Sequence, residues 1–205
     1  MNQIKEDKEK LYINFVVLAV FPVILTIVAG IIIDLLIGDL RYGHFSALIT
    51  VWISMIIGMV IFPVIYLRKN DKEVCNLSDL GLVIDLPIDG IIIGLLIASL
   101  IIVKTIFLEG DIVFALMQNI PIAFCEEFWS KGVLFTQLKH IFKNNYIVIV
   151  IAAMVFAFIT HLGNSFVDNL VLRFPFGLIA GFIYYKTGKL AYPVLLHLIY
   201  NAMIA

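Results

Sequence analysis

The chain is short of charge. Asp, Glu, Lys and Arg make up 14% of its 205 residues, where a soluble domain carries about 25%. That argues against a soluble globular enzyme. It also excludes intrinsic disorder, which needs high charge and few apolar residues. Cysteine is scarce too. Cys75 and Cys125 lie far apart, the second inside an apolar run, so there is neither a disulfide framework nor a zinc ribbon. There is no basic excess: a net charge of −1 leaves nothing to hold a nucleic acid. The sequence has no internal repeat, no H-E-x-x-H pair and no G-x-S-x-G elbow, so the usual zinc-protease helix and the serine-hydrolase turn are both missing.

What remains is 62% hydrophobic residues with 16 Phe and 8 Tyr. They fall in long runs that predict an all-α, polytopic transmembrane helix bundle of about seven spans, a single membrane domain over residues 1–205. The predicted spans are 13–37, 45–67, 88–108, 112–138, 146–162, 170–185 and 190–205. The first is too long for the apolar part of a signal peptide, and no small-x-small site closes it. Lys5, Lys8, Lys10, Arg68, Lys69, Lys72, Lys139, Lys143, Lys186 and Lys189 all fall on the side of the N-terminus, whereas Arg41 and Arg173 fall in opposite segments. The positive-inside rule then places the N-terminus in the cytoplasm and the C-terminus outside.

Ionisable groups within such runs cost at least about 2.5–3.5 kcal/mol each on insertion scales and call for a reason. Glu126, Glu127 and Lys131 share the fourth span; His161 lies in the fifth; His197 and Asn201, four apart and so on one helix face, lie in the seventh. Glu127 and Lys131 have the order and spacing of a helical ion pair, which leaves Glu126 without a partner on its own helix. Asp34 reads as a span-end residue, His44 and His140 as solvated loop residues, and Cys125 as a small apolar filler. At about 1.5 Å rise per residue, Glu126, His161, His197 and Asn201 fall about 11–22 Å below the inner boundary of a core about 30 Å thick. Three helices thus bring a carboxylate, two imidazoles and an amide to one depth. A buried Glu beside a His can hold and deprotonate a water; a second His and an Asn can donate to an oxyanion. Alternatively Glu126, His161 and His197 would ligate zinc, with a position open for water.

The same residues carry a resemblance. Glu126-Glu127-x-x-x-Lys131, His161 and His197-x-x-x-Asn201 resemble the E-E-x-x-x-R, F-x-x-x-H and H-x-x-x-N motifs of the CPBP intramembrane proteases, a group that includes the type II CAAX prenyl endopeptidase. The resemblance covers about residues 115–205, the catalytic core, and extends to Gly177–Pro193. Lys131 stands where the family has Arg. Ala157 stands where it has Phe, between Phe156 and Phe158. The resemblance implies that Glu126 and His161 activate water, that His197 and Asn201 stabilise the oxyanion, and that Glu127 and Lys131 give structural support. It implies a membrane-associated peptide or protein as substrate, and leaves open zinc or no cofactor. Ile, Lys and Asn usage suggests a bacterial cell membrane, where peptides such as bacteriocins are expected rather than prenylated tails. Two other classes share these features: a non-catalytic bacteriocin-immunity or regulatory membrane protein of the same fold, and an ion-coupled transporter.

Overall fold

In the computed structural model, residues 2–37, 44–71, 76–83, 94 and 112–204 are described, and every regular element among them is helical. α1 is Asn2–Ile37. α2, residues 44–70, joins His44–Met55 and Phe62–Asn70 through a π-helical stretch, Ile56–Ile61. α3, residues 112–141, likewise joins Ile112–Glu127 and Phe135–Ile141 through Phe128–Leu134. α4 is Asn145–Thr160, ending in a π turn from Phe156. α5 is Phe166–Thr187, with a π turn at Asn169–Arg173. α6 is Ala191–Ile204.

Three of these are long and apolar enough to cross a membrane: Lys8–Ile37, Phe45–Asn70 and Phe166–Thr187. Their exposed faces carry Ile13, Val16, Phe21, Ile24 and Ile27 on α1, and Val171, Ile179 and Phe182 on α5. Such faces suit acyl chains and not water, so the chain is an integral membrane protein. The seven-span expectation is met only in part. Of its third span, 88–108, all but residue 94 lies outside the described residues. α4 is a shorter apolar helix, and α3 carries four charged side chains within its length, Glu126, Glu127, Lys131 and Lys139.

The bundle packs α1 on α2, α2 on α3, α3 on α6, and α4 on α5. Its core is formed by Leu18, Phe128, Trp129, Leu134 and Leu138. Both tryptophans of the chain tie helices together by one device. A proline inside a helix has no N–H for the carbonyl four residues earlier. Pro22 orphans the carbonyl of Leu18, and Trp129 Nε1 donates to that oxygen at 2.7 Å. Pro121 orphans the carbonyl of Met117, and Trp52 Nε1 donates to it at 2.7 Å. α3 is thus pinned to α1 and α2 on either side of Glu126. α4 and α5 approach closely because Gly177 has no side chain: a Cβ there would lie 3.1 Å from Ala153 Cα.

α2, α3 and α5 end on a common face. Asp71, just past α2, accepts from Gln137 Nε2 at 2.6 Å and lies 3.8 Å from His140 Nδ1. Lys139, His140, Tyr185 and Gly188 line one cleft at that face. Asn14, near the start of α1, accepts from Tyr66 near the end of α2 at 2.9 Å. His140 therefore differs from expectation. It is half-buried in the last turn of α3 against an acid, because the helix continues past the predicted span end at 138. Asp34 is exposed near the end of α1 and Cys125 is fully buried, as expected. The side chain of His44 lies outside the described residues.

Candidate functional site

α3 presents Glu126 and Glu127 at the point where its α-helical part gives way to the π segment that holds Lys131. Consecutive residues point about 100° apart on a helix, so the two carboxylates have different neighbours. Glu127 is fully buried and divides its oxygens. Oε2 is 3.4 Å from Lys131 Nζ, itself fully buried, and Oε1 is 2.9 Å from His197 Nδ1. With Glu127 paired to a lysine, Nδ1–H of His197 is the donor, which leaves Nε2 as the nitrogen facing Glu126. Lys131 Nζ also lies 3.1 Å from Ser130 Oγ and 4.8 Å from the Phe156 ring centroid.

Glu126 has a different environment. Its Oε2 is buried and without a hydrogen-bond partner, and it faces two imidazoles: His161 Nε2 at 3.9 Å and His197 Nε2 at 3.8 Å. The structure therefore brings Glu126, His161 and His197 together from α3, the end of α4 and α6. Asn201 is half-buried one turn beyond His197 on α6. Tetrahedral zinc at about 2.0–2.2 Å from each donor needs donor atoms about 3.4 Å apart. The Glu126–imidazole distances are longer, and no three His, Cys, Asp or Glu among the described residues are grouped to hold a metal ion. The set does not fit zinc as placed, and no step below runs through one.

Aromatic rings fix the imidazoles. Phe156 meets His161 and His197 edge-on, with centroids 5.4 and 5.8 Å apart, and Phe176 meets His197 at 5.0 Å. The Ala157 departure has a geometric reason. In an α-helix a ring stacked one turn before His161 comes from residue 157. In a π turn the repeat is i to i+5, and Phe156–Thr160 is π-helical. Phe156 thus takes the place beside His161, and Ala157 is buried behind it. The hydroxyl of Thr160 donates to the Phe156 carbonyl within that turn.

The family model for type II CAAX prenyl endopeptidase Rce1-like proteins matches residues 108–203. Residues 108–203, a little under half of the chain, are thus similar to the Rce1-like family. The Rce1-like region takes in α3, α4, α5 and α6, and with them every site residue named so far. No curated protein and no solved structure matches the chain. The family is one of CAAX-type intramembrane endopeptidases, which supports protease activity for the Rce1-like region.

Sequence reasoning missed three contributors. The bond between Glu127 and His197 joins residues 70 apart and has no local signal. Arg173 was counted with the outside segments and Asn169 was not singled out, yet both lie inside α5, whose helix starts at Phe166. Asn169 is buried. Its Nδ2 donates to the His161 carbonyl at 2.9 Å, and its Oδ1 accepts from Arg173 Nη1 at 3.2 Å. The available signal was their four-residue spacing in an apolar stretch, the same pattern that marked His197 and Asn201.

Proposed function

We propose that the chain is an intramembrane endopeptidase that hydrolyses a peptide bond of a membrane-associated peptide or protein with a water activated by Glu126 and His161. The observation that carries this reading is Glu126 Oε2, buried, without a hydrogen-bond partner, and 3.9 Å from His161 Nε2. One water can span two acceptors at that separation with hydrogen bonds of about 2.8 Å. Glu126 takes its proton as the oxygen attacks the carbonyl, then passes it to the leaving nitrogen. His197, protonated on both ring nitrogens and held at Nδ1 by Glu127, donates Nε2–H to the developing oxyanion, and the Asn201 amide is the second donor. Glu127 and Lys131 hold that arrangement and take no proton from substrate.

The same reading includes seven spans with the N-terminus in the cytoplasm. Its support is the common face at which α2, α3 and α5 end, because that face gathers Arg68, Lys69, Lys139 and Lys186.

The test is cleavage of a fluorogenic peptide library by the purified full chain. Glu126→Gln keeps size and removes the base, so turnover falls about 10²–10⁴-fold with the fold intact. His161→Ala falls comparably. The double variant is no slower than the slower single, because both side chains act on one water. Losses that multiply in the double variant refute shared water activation and favour a non-catalytic or transport role.

A further inference from the structure

Arg173 is a guanidinium inside a membrane-spanning helix, where a charge is expensive and usually tied to function. Among the described residues no carboxylate lies within ion-pair distance of it; its acceptor is Asn169 Oδ1. The amide of Asn169 is used at both ends, which fixes its orientation. The oxygen receives Arg173 Nη1 and the nitrogen reaches the carbonyl of His161. That carbonyl sits where α4 ends, with His161 at φ −112° and ψ 37°. A residue at a helix end without a regular successor keeps its direction only if something holds it. Asn164 N at 3.0 Å and Asn169 Nδ2 at 2.9 Å are what hold this one. The groups facing Glu126 are His161 from the end of α4 and His197 from α6.

We infer that Asn169 and Arg173 are positioning residues for the proposed hydrolysis. Asn169 fixes the main chain under His161, so that Nε2 stays aimed at the water. Arg173 fixes Asn169 and supplies a stationary positive charge beside the developing anion. The inference rests on the water-activation reading for its kinetic part and on geometry for its positional part. The two parts are tested separately.

The experiment uses the full chain in lipid nanodiscs, with the library peptide that the wild type cleaves and diethyl pyrocarbonate as a probe of the imidazoles. Asn169→Asp keeps an acceptor for Arg173 but has no donor for the His161 carbonyl. We expect kcat to fall about 10- to 100-fold, as for a misplacement of about 1 Å, with KM within about twofold. Carbethoxylation of His161, read by peptide mass spectrometry, rises severalfold while that of His140 does not. Arg173→Lys keeps most of kcat because charge is retained, and Arg173→Gln loses about tenfold, KM again unchanged. Asn169→Ser, which keeps a small donor, guards against a folding defect in the aspartate variant. Wild-type kcat and wild-type labelling in Asn169→Asp and Asn169→Ser overturn the proposal. So does a rise in KM with kcat intact in Arg173→Gln, which would make Arg173 a reader of a substrate carboxylate. If the wild type cleaves no peptide, altered His161 labelling still supports positioning while hydrolysis fails; unaltered labelling sinks both.

Discussion

Replacing Glu127 by Gln tests two roles that the structure assigns to one carboxylate. Glu127 and Lys131 are both fully buried, 3.4 Å apart, and the other carboxylate oxygen lies 2.9 Å from His197 Nδ1. Gln has the same size and no charge. If its oxygen accepts from His197, its amide nitrogen faces the ammonium of Lys131, donor against donor. Lys131 is then a buried charge with Ser130 Oγ as its polar neighbour. Breaking a buried pair by removing one partner costs about 3–5 kcal/mol. At about 2–4 °C per kcal/mol for a chain of this length, the midpoint should drop by roughly 6–20 °C, and folded yield with it. The second variant separates the roles. Glu127→Gln/Lys131→Met removes the stranded charge, and replacing a whole buried pair with apolar groups is often neutral. Stability should therefore return. Activity should stay below wild type, because the Gln oxygen still accepts from Nδ1–H of His197 but lacks the negative charge that favours it as a donor. The assay is thermal unfolding in detergent by fluorescence-detected size exclusion, beside peptide cleavage. A Glu127→Gln protein as stable as wild type refutes the stranded-charge argument. A double variant with full activity refutes the orienting role.

Two further predictions follow from packing. Trp129→Phe leaves the Leu18 carbonyl buried without a donor, a loss of about 1–3 kcal/mol. In a Pro22→Ala background residue 22 regains an N–H for that carbonyl, so the same substitution should cost much less; equal costs in the two backgrounds, measured by thermal unfolding, would remove the proline explanation. Phe156→Leu gives up the ring contacts with His161 and His197, each worth about 0.5–1.5 kcal/mol, and should slow cleavage. Moving the ring with Phe156→Ala/Ala157→Phe should not restore it, since Ala157 is fully buried and overpacking costs about 1–3 kcal/mol; recovery of wild-type turnover in the swap would defeat the π-turn account.

Much of the site was legible because membranes make polarity conspicuous. Glu126, His161 and His197 stand out from the runs that contain them, and helix rise alone brings them to one depth. Glu127 and Lys131 were legible as a pair because both lie on one helix. What sequence could not give is partnership between helices. The bond from His197 to Glu127 depends on how α6 lies against α3. Arg173 was misplaced because it counted as an outer-segment charge, although the helix begins before it, and Asn169 was passed over with it. The expectation of a Phe at 157 presupposes a 3.6-residue repeat. Three π-helical stretches adjoin the site, at Phe128–Leu134, Phe156–Thr160 and Asn169–Arg173, and each shifts by one residue which side chains share a face. Periodicity read off a sequence cannot register that shift, so the motif looked incomplete when only its phase had changed.

Most of the buried polar groups of this bundle are matched in a chain of contacts. Lys131 is bound to Glu127, Glu127 to His197, Arg173 to Asn169, and Asn169 to the main chain of His161. Each contact lowers the cost of keeping a polar group in hydrocarbon. Glu126 Oε2 stands outside that chain of contacts, although two imidazole nitrogens approach within 4 Å. Glu127 Oε2 also goes without a hydrogen bond, but it lies 3.4 Å from the Lys131 ammonium, and Thr50 Oγ1, Gln137 Oε1 and Tyr200 Oη are neutral groups. A carboxylate oxygen is far more costly to leave unmatched. Packing for stability alone would have closed that distance or replaced the residue. A bundle that surrounds the oxygen with two fixed imidazoles, each aimed from behind by a hydrogen bond to its ring or its main chain, has the preorganisation that general-base hydrolysis needs.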